Sequence, residues 1–450
     1  MLEGPVLIII LLGAIVFIIL TTSVLKLHPF FSLIIATFGV GLLVKMPLQK
    51  IISSVNNGFG GLMGYIGLVI IFGTIIGTIL ENSGATIKIA DVVLSSIGKK
   101  RPTLAMSLIG SIVSIPVFCD SGFVILSSLN KAVAKRAKVS LATMTVALSS
   151  GLYATHTLVP PTPGPIAAAG NIGASDYLGT VIGIGLITAI PAILVGYWWA
   201  LRIKSITIAD EDNDSNFNSV LTEIDPLPSA FRSFGPIVLP VILIAGASIV
   251  KFLELSGNVA DSVLFIGNPL VALLLGVFMS FMLLPKFDEE HLNKWIAKGI
   301  MRAGPILLIT GAGGAFGSVL KATPLTELIK SIVNNSNVSG SSFLIIAFFI
   351  AAALKSSQGS STAALVITSS VLAPLLPALN ISTPAALALV VMAIGAGAMT
   401  VSHVNDSYFW VVTQFSGLKL NDAYRSFTIV TLLQGGMVLL TTLILFKIMI

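Results

Sequence analysis

Long apolar stretches follow one another along this chain with short polar interruptions. They fall at about 5–24, 29–45, 62–80, 140–173, 176–201, 233–252, 262–285, 303–320, 383–417 and 426–448. A helix needs roughly 20 apolar residues to cross ~30 Å of hydrocarbon, so these stretches predict membrane-spanning helices. Their apolar character is continuous, which excludes the alternating strands of a membrane β-barrel. The stretches 140–173 and 383–417 are too long for one straight span and carry polar residues in their middles, predicting broken helices. Two more, 102–136 and 341–380, contain a polar, glycine-bearing kink and predict re-entrant hairpins. The second of these is also long enough for two short spans.

The two halves of the pattern repeat. Residues 73–80 (GTIIGTIL) align with 313–320 (GGAFGSVL) at an offset of 240, and Thr86/Thr326 and Val93/Val333 keep that offset. Each half then gives an amphipathic stretch, a kinked hairpin, a broken span holding one histidine, and a closing span. With the N-terminus outside, the loops on the inner side hold 18 of the 25 Lys and Arg residues, the asymmetry of the positive-inside rule. Both termini then face outward, and the span at 62–80 runs opposite to that at 303–320. The expected fold is an all-α polytopic membrane protein of two inverted repeats, an arrangement typical of secondary transporters with a site near the bilayer midplane.

Composition agrees. Of 450 residues, 55% are hydrophobic and 10% charged, against about a quarter charged in soluble proteins. The net charge of +6 is accounted for by inner loops and does not predict a nucleic-acid partner. The lone Cys119 cannot form an internal disulfide, and no Cys/His spacing predicts a metal or other cofactor. No HExxH, DDxxD or paired intramembrane aspartate predicts an enzyme. Residues 209–228 read as a solvated cytoplasmic linker.

Candidate chemistry lies at four polar breaks. The hairpins are expected to turn at Cys119-Asp120-Ser121-Gly122 and at Ser356-Ser357-Gln358-Gly359-Ser360-Ser361-Thr362. The broken spans are expected to open at Thr155-His156-Thr157 with Pro160 to Pro165, and at Ser402-His403-Val404-Asn405-Asp406-Ser407. Non-helical backbone at membrane depth survives where it lines a cavity or is buried in protein, and half-helix N-termini there favour an anion. Ser121, Gly122, Thr157, Thr162, Gly164, residues 356–362, Asn405 and Ser407 are therefore candidates for holding a small carboxylate. Isolated ionisable residues inside apolar sequence are functional candidates by default. Asp120, His156, Lys355, His403 and Asp406 are the candidates for proton coupling, with Lys355 expected to pair with a substrate carboxylate or with Asp120. Asp406 is also placed to cap the helix that follows it.

Five segments carry a family resemblance: HPFFSLIIATFGVGL (28–42), Asp120-Ser121-Gly122-Phe123, LVPPTPGPIAAA (158–169), ITGAGGAFGSVLK (309–321) and NDSYFWVVTQFSG (405–417). With them the chain resembles the gluconate permease family of bacterial carboxylate–proton symporters over nearly its whole length. The resemblance implies an inner-membrane symporter for a small hydroxy or sugar acid, a homodimer that moves its substrate by an elevator motion. It implies scaffold spans at 1–61 and 233–302, and repeats at 62–201 and 303–450 separated by a linker at 202–232. Related members often carry Glu where Asp120 stands and His where Thr162 stands. Gluconate is the default substrate, with glycerate, idonate, fructuronate, D-serine and a hydroxybutyrate-like acid as alternatives; sodium coupling and, further off, a passive anion channel are the other readings.

Overall fold

The computed structural model describes residues 6–98, 100–203, 227–285, 289–324, 340–404 and 406–450, which form helices and turns with no strand. In the first half, α1 (Val6–Ser23), α2 (Pro29–Leu43) and α3 (Leu48–Asn82) lead into a short α4 (Ala85–Val93). Then come α5 (Pro102–Val113), α6 (Cys119–Ala137), α7 (Leu141–Leu158), α8 (Pro163–Asn171) and α9 (Leu178–Arg202). The second half opens with α10 (Ala230–Phe252), α11 (Asn258–Ile266), α12 (Pro269–Ser280) and α13 (Glu289–Lys321). It continues through α14 (Gly340–Gln358), α15 (Ser361–Leu372), α16 (Pro384–Met399), α17 (Ser407–Ser416), α18 (Leu420–Ala423) and α19 (Ile429–Met449). Among the described residues, seven helical segments are long and apolar enough to cross a bilayer, and the bent α11–α12 pair adds an eighth.

Three expectations change. The stretch 262–285 is not one straight span: it bends by 62° between α11 and α12. Pro269 cannot continue the hydrogen-bond ladder, and Asn268 caps the new helix by accepting from the Leu270 N–H at 3.0 Å. The stretches 62–80 and 303–320 are only parts of α3 and α13, which run for 35 and 33 residues. The boundaries at 61/62 and 302/303 thus fall inside continuous helices, because the polar first half of each lowers its hydropathy without breaking its hydrogen bonds. Most of the expected linker, 204–226, lies outside the described residues.

Sequence dictates which helices go inside. All of α7 is buried, and so is α16 from Ala386 to Met399, as expected of helices that are apolar or small-sided all round. By contrast α1, α2 and α9 expose large apolar side chains such as Leu12, Phe31 and Ile190, the surface a bilayer covers. Contacts come in matched pairs. α5 packs on α7 and α14 on α16; α8 packs on α15 and α17 on α6; and α3 packs along α13.

The α3–α13 crossing is closest at two glycines. An added Cβ on Gly314 would stand 2.5 Å from the Gly58 carbonyl oxygen, and the reverse contact is as tight. Small residues let helices approach in this way where lipid gives no hydrophobic drive to associate. Gly314→Leu is expected to lose the monodisperse folded protein in detergent, since overpacking against backbone costs at least about 1–3 kcal/mol. Gly64→Leu on an open face of α3, where a Cβ meets nothing within 4 Å, is expected to leave size-exclusion behaviour unchanged.

Candidate functional site

Four helix breaks build the site, each with a local cause. Between α5 and α6, Pro116 sits in a five-residue connection, 114–118, in which the Ser114 hydroxyl donates to the Val117 carbonyl at 3.0 Å. Helix resumes at Cys119, so Asp120, Ser121 and Gly122 form the first turn of α6 and not the loop expected there. A carboxylate at that position is favoured by the helix dipole.

α14 runs to Gln358 and ends at Gly359, whose φ of +75° is open to glycine at little cost. Ser360 then caps α15 by accepting from the Ala363 N–H at 3.2 Å. Ser356 to Gln358 are therefore the end of one helix and Ser361 and Thr362 the start of the next. The α7–α8 break spans only Val159 to Thr162, with Pro163 opening α8. Thr155, His156 and Thr157 are helical, against expectation, because the prolines act only from Pro160 onward. The α16–α17 break covers 400–406, and Asp406 caps α17 by accepting from the Tyr408 N–H at 3.0 Å. Asn405 lies outside the described residues.

The structure joins α6, α14 and α17 through charge. The Lys355 ammonium meets Asp406 Oδ2 at 2.5 Å, with the two side chains 1% and 5% exposed. The Ser402 hydroxyl also donates to Asp406, and the Lys355 nitrogen lies 5.9 Å from the Tyr153 ring centre. Lys355 thus pairs with Asp406 and not with Asp120, since the capping position of Asp406 points its carboxylate back toward the end of α14. Asp120 instead accepts from the Ser407 hydroxyl at 3.1 Å, while the Cys119 thiol lies 3.6 Å from its other oxygen. His403 Nε2 lies 3.0 Å from the Ser356 carbonyl oxygen. Beneath them, Phe123, Tyr153, Tyr408 and Phe427 form a ring cluster, with the Tyr408 hydroxyl donating to the Ser149 carbonyl at 3.0 Å.

Other candidates are occupied locally. Thr157 donates to the Tyr153 carbonyl, Thr162 to Val159 and Ser357 to Leu354. Gly122 packs on Leu152, and Gly164 on Leu365 and Thr362. His156 is buried beside the Phe118 ring with no partner for Nδ1. Both polar atoms of the Gln358 amide are likewise buried without a partner.

Ser402 was expected only as part of the second break, and Tyr153 and Tyr408 were not among the candidates. The sequence reading passed over a second charged group, in which Arg302 of α13 pairs with Glu81 of α3 and reaches Ser121 Oγ at 3.5 Å. The available signal was Glu81 itself, the sole acid of α3, just beyond the repeated octapeptide. Chemically, the whole arrangement can hold an anion among hydroxyl and amide donors and can take up a proton on Asp120.

Comparison with known proteins agrees with this picture. A model of the GntP family of permeases matches residues 5–449. The chain is 31% identical over 412 residues to a gluconate permease of Pseudomonas aeruginosa, covering 90% of this chain and 89% of that one. It is 30% identical over 440 residues to the D-serine transporter DsdX of Escherichia coli, with 97% of each chain covered. Among solved structures, the YdaH transporter of Alcanivorax borkumensis superposes with a TM-score of 0.64 at 15% identity, over 89% of this chain and 88% of that one. MtrF of Neisseria gonorrhoeae gives 0.62 at 17% identity, over 90% and 84%. These two share the fold. With the family match running through all four breaks and relatives about as long as the chain itself, this protein belongs to the GntP permease family of multi-pass membrane transporters and is not an enzyme.

Proposed function

We propose that the protein imports a small hydroxy or sugar acid together with protons across the bacterial cytoplasmic membrane. The observation that carries this reading is the charge set where α6, α14 and α17 meet: Lys355 locked to Asp406, with Asp120 alongside under Ser407. Lys355 balances Asp406, so an ionised Asp120 is the uncompensated charge of this set. An arriving carboxylate would add a second one. A charge near the bilayer centre costs roughly 2.5–3.5 kcal/mol even on the lenient insertion scale. A proton taken up by Asp120 removes one of the two, so substrate and proton travel together. Ser407, Gln358 and the hydroxyls of residues 356–362 are the proposed substrate contacts, with His156 and His403 as further proton carriers.

The matched contacts support two inverted repeats, with α5–α6 and α14–α15 as the re-entrant hairpins and α7–α8 and α16–α17 as the broken helices. On this reading α3 and α13 belong to a scaffold, and the hairpins move along it. Gly77 of α3 abuts the Pro116 carbonyl in the α5–α6 connection. Gly317, its counterpart 240 residues on in α13, abuts Ser370, about 13 Å along α15 from Ser361. Unequal registers are what one end state of an elevator presents, and the other end state exchanges them. A homodimer and outward-facing termini complete the proposal.

The test is uptake into proteoliposomes of purified protein under an inward proton gradient, without sodium. Labelled gluconate competes with a panel of unlabelled acids. Accumulation that a protonophore collapses is expected, and the best competitor names the substrate. The relative named a D-serine transporter, matched over 97% of its length, puts D-serine in that panel. Uptake that occurs only with sodium would remove proton coupling from Asp120, and leak without saturation would make the protein a channel.

A further inference from the structure

The Glu81–Arg302 pair lies outside the proposed site yet touches it, and the inference drawn from it rests on the carrier reading above. The Glu81 side chain is 5% exposed and that of Arg302 27%. One guanidinium nitrogen donates to Glu81 Oε2 and lies 3.5 Å from Thr78 Oγ1. The other lies 3.5 Å from Ser121 Oγ, one residue from Asp120, and the guanidinium carbon is 6.0 Å from the centre of the Phe118 ring. A guanidinium has five N–H donors, and two of these three contacts are at the outer limit of a hydrogen bond, so a carboxylate would displace them readily.

Glu81 Oε1 is buried and accepts no hydrogen bond, with the Ser121 hydroxyl and the Lys298 ammonium near the pair. The pair has no counterpart across the repeat. At the 240-residue offset Glu81 corresponds to Lys321 and Arg302 to Leu62, and both of those line an open cavity of about 480 Å³. So the acid–guanidinium pair sits at one end of the α3–α13 pair, and the other end carries the ammonium of Lys321 without an acid at the matching position.

We propose that Arg302 and Glu81 form, with Ser121, a substrate station on the scaffold that reads 2-hydroxy or 2-amino acids. The guanidinium takes the carboxylate as α6 brings it past, and Glu81 Oε1 accepts from the hydroxyl or ammonium on the neighbouring carbon. A donor and an acceptor held side by side match a carboxylate with an adjacent donor. A site built to bond a substrate O–H rejects the analogue lacking it because its own polar group is then left unpaired.

The experiment compares glycerate with 3-hydroxypropionate, which lacks the 2-hydroxyl, as substrates or competitors in proteoliposomes. Glu81→Ala and Glu81→Gln are expected to reduce the preference for glycerate at least tenfold, through KM. Arg302→Gln is expected to raise KM for both acids at least tenfold from one membrane face, with Arg302→Lys partly restoring it. Unchanged preference in both Glu81 variants, with Vmax falling alike for both acids, would overturn the station and leave the pair a structural tie. Should neither variant of Glu81 fold, the one-sided KM of Arg302→Gln decides: equal effects on both faces overturn the proposal. Failure of the wild-type protein to take up any acid of the panel would overturn the carrier reading, and the station with it.

Discussion

Asp120→Asn is expected to abolish uphill accumulation while leaving exchange of substrate across the membrane. Asn keeps the size of the side chain and an oxygen able to accept from Ser407, which donates at 3.1 Å in the native site. What it removes is the ability to alternate between charged and neutral forms. A carrier permanently neutral at this position can still move loaded, but the proton gradient no longer drives it. With an inward gradient of about 1 pH unit and one coupled proton, the wild type can reach up to ~10-fold accumulation, since 1.4 kcal/mol is a factor of ten. The variant should reach a ratio of ~1, with counterflow of preloaded substrate preserved. Uphill accumulation by the variant with unchanged dependence on the proton gradient would move coupling to another group, His156 or His403 first.

Lys355→Met should destabilise the protein by about 3–5 kcal/mol, the usual consequence of removing one partner of a buried ion pair. Asp406 would keep the Ser402 hydroxyl and the Tyr408 N–H but lose the Lys355 ammonium, at 5% exposure. The double variant Lys355→Met/Asp406→Asn removes both charges and retains a residue that caps helices well. It should recover most of the thermal stability in detergent. It should not recover proton-driven accumulation, because charge balance beside Asp120 is the proposed contribution of the pair. Full recovery of transport as well would make the pair purely structural. A single variant as stable as the wild type would show that the ion pair adds nothing to stability.

How much of this was legible in the chain differs by feature. Continuous apolar runs gave away the spans, since desolvation of backbone in lipid leaves few alternatives to helix. The isolated charges marked Asp120, Lys355 and Asp406 as candidates, since a charge in an apolar segment is costly to bury. Helix boundaries were less legible: Thr155 to Thr157 and Asp120 to Gly122 look like loop, yet helical hydrogen bonds continue through them, with the Thr157 hydroxyl bonding back to the Tyr153 carbonyl and that of Thr155 crossing to the Ser111 carbonyl of α5. The lengths of α3 and α13 were hidden for the same reason, as hydropathy measures partition into lipid and not helix continuity.

Pairing was beyond the reach of sequence. That Lys355 would choose Asp406 over Asp120 depends on the direction in which a helix cap points its carboxylate. That Arg302 would find Glu81, 221 residues away, depends on two glycines letting α3 and α13 cross at backbone contact. The amino-acid sequence by itself determined that this is a bundle of membrane helices with ionisable residues stranded beside four breaks, because transfer of a residue between water and lipid is a property of that residue and its neighbours in the chain. Which charges meet, and which backbone groups are left to receive a ligand, was decided only by the tertiary structure, because a pairwise interaction depends on distances that local sequence does not set.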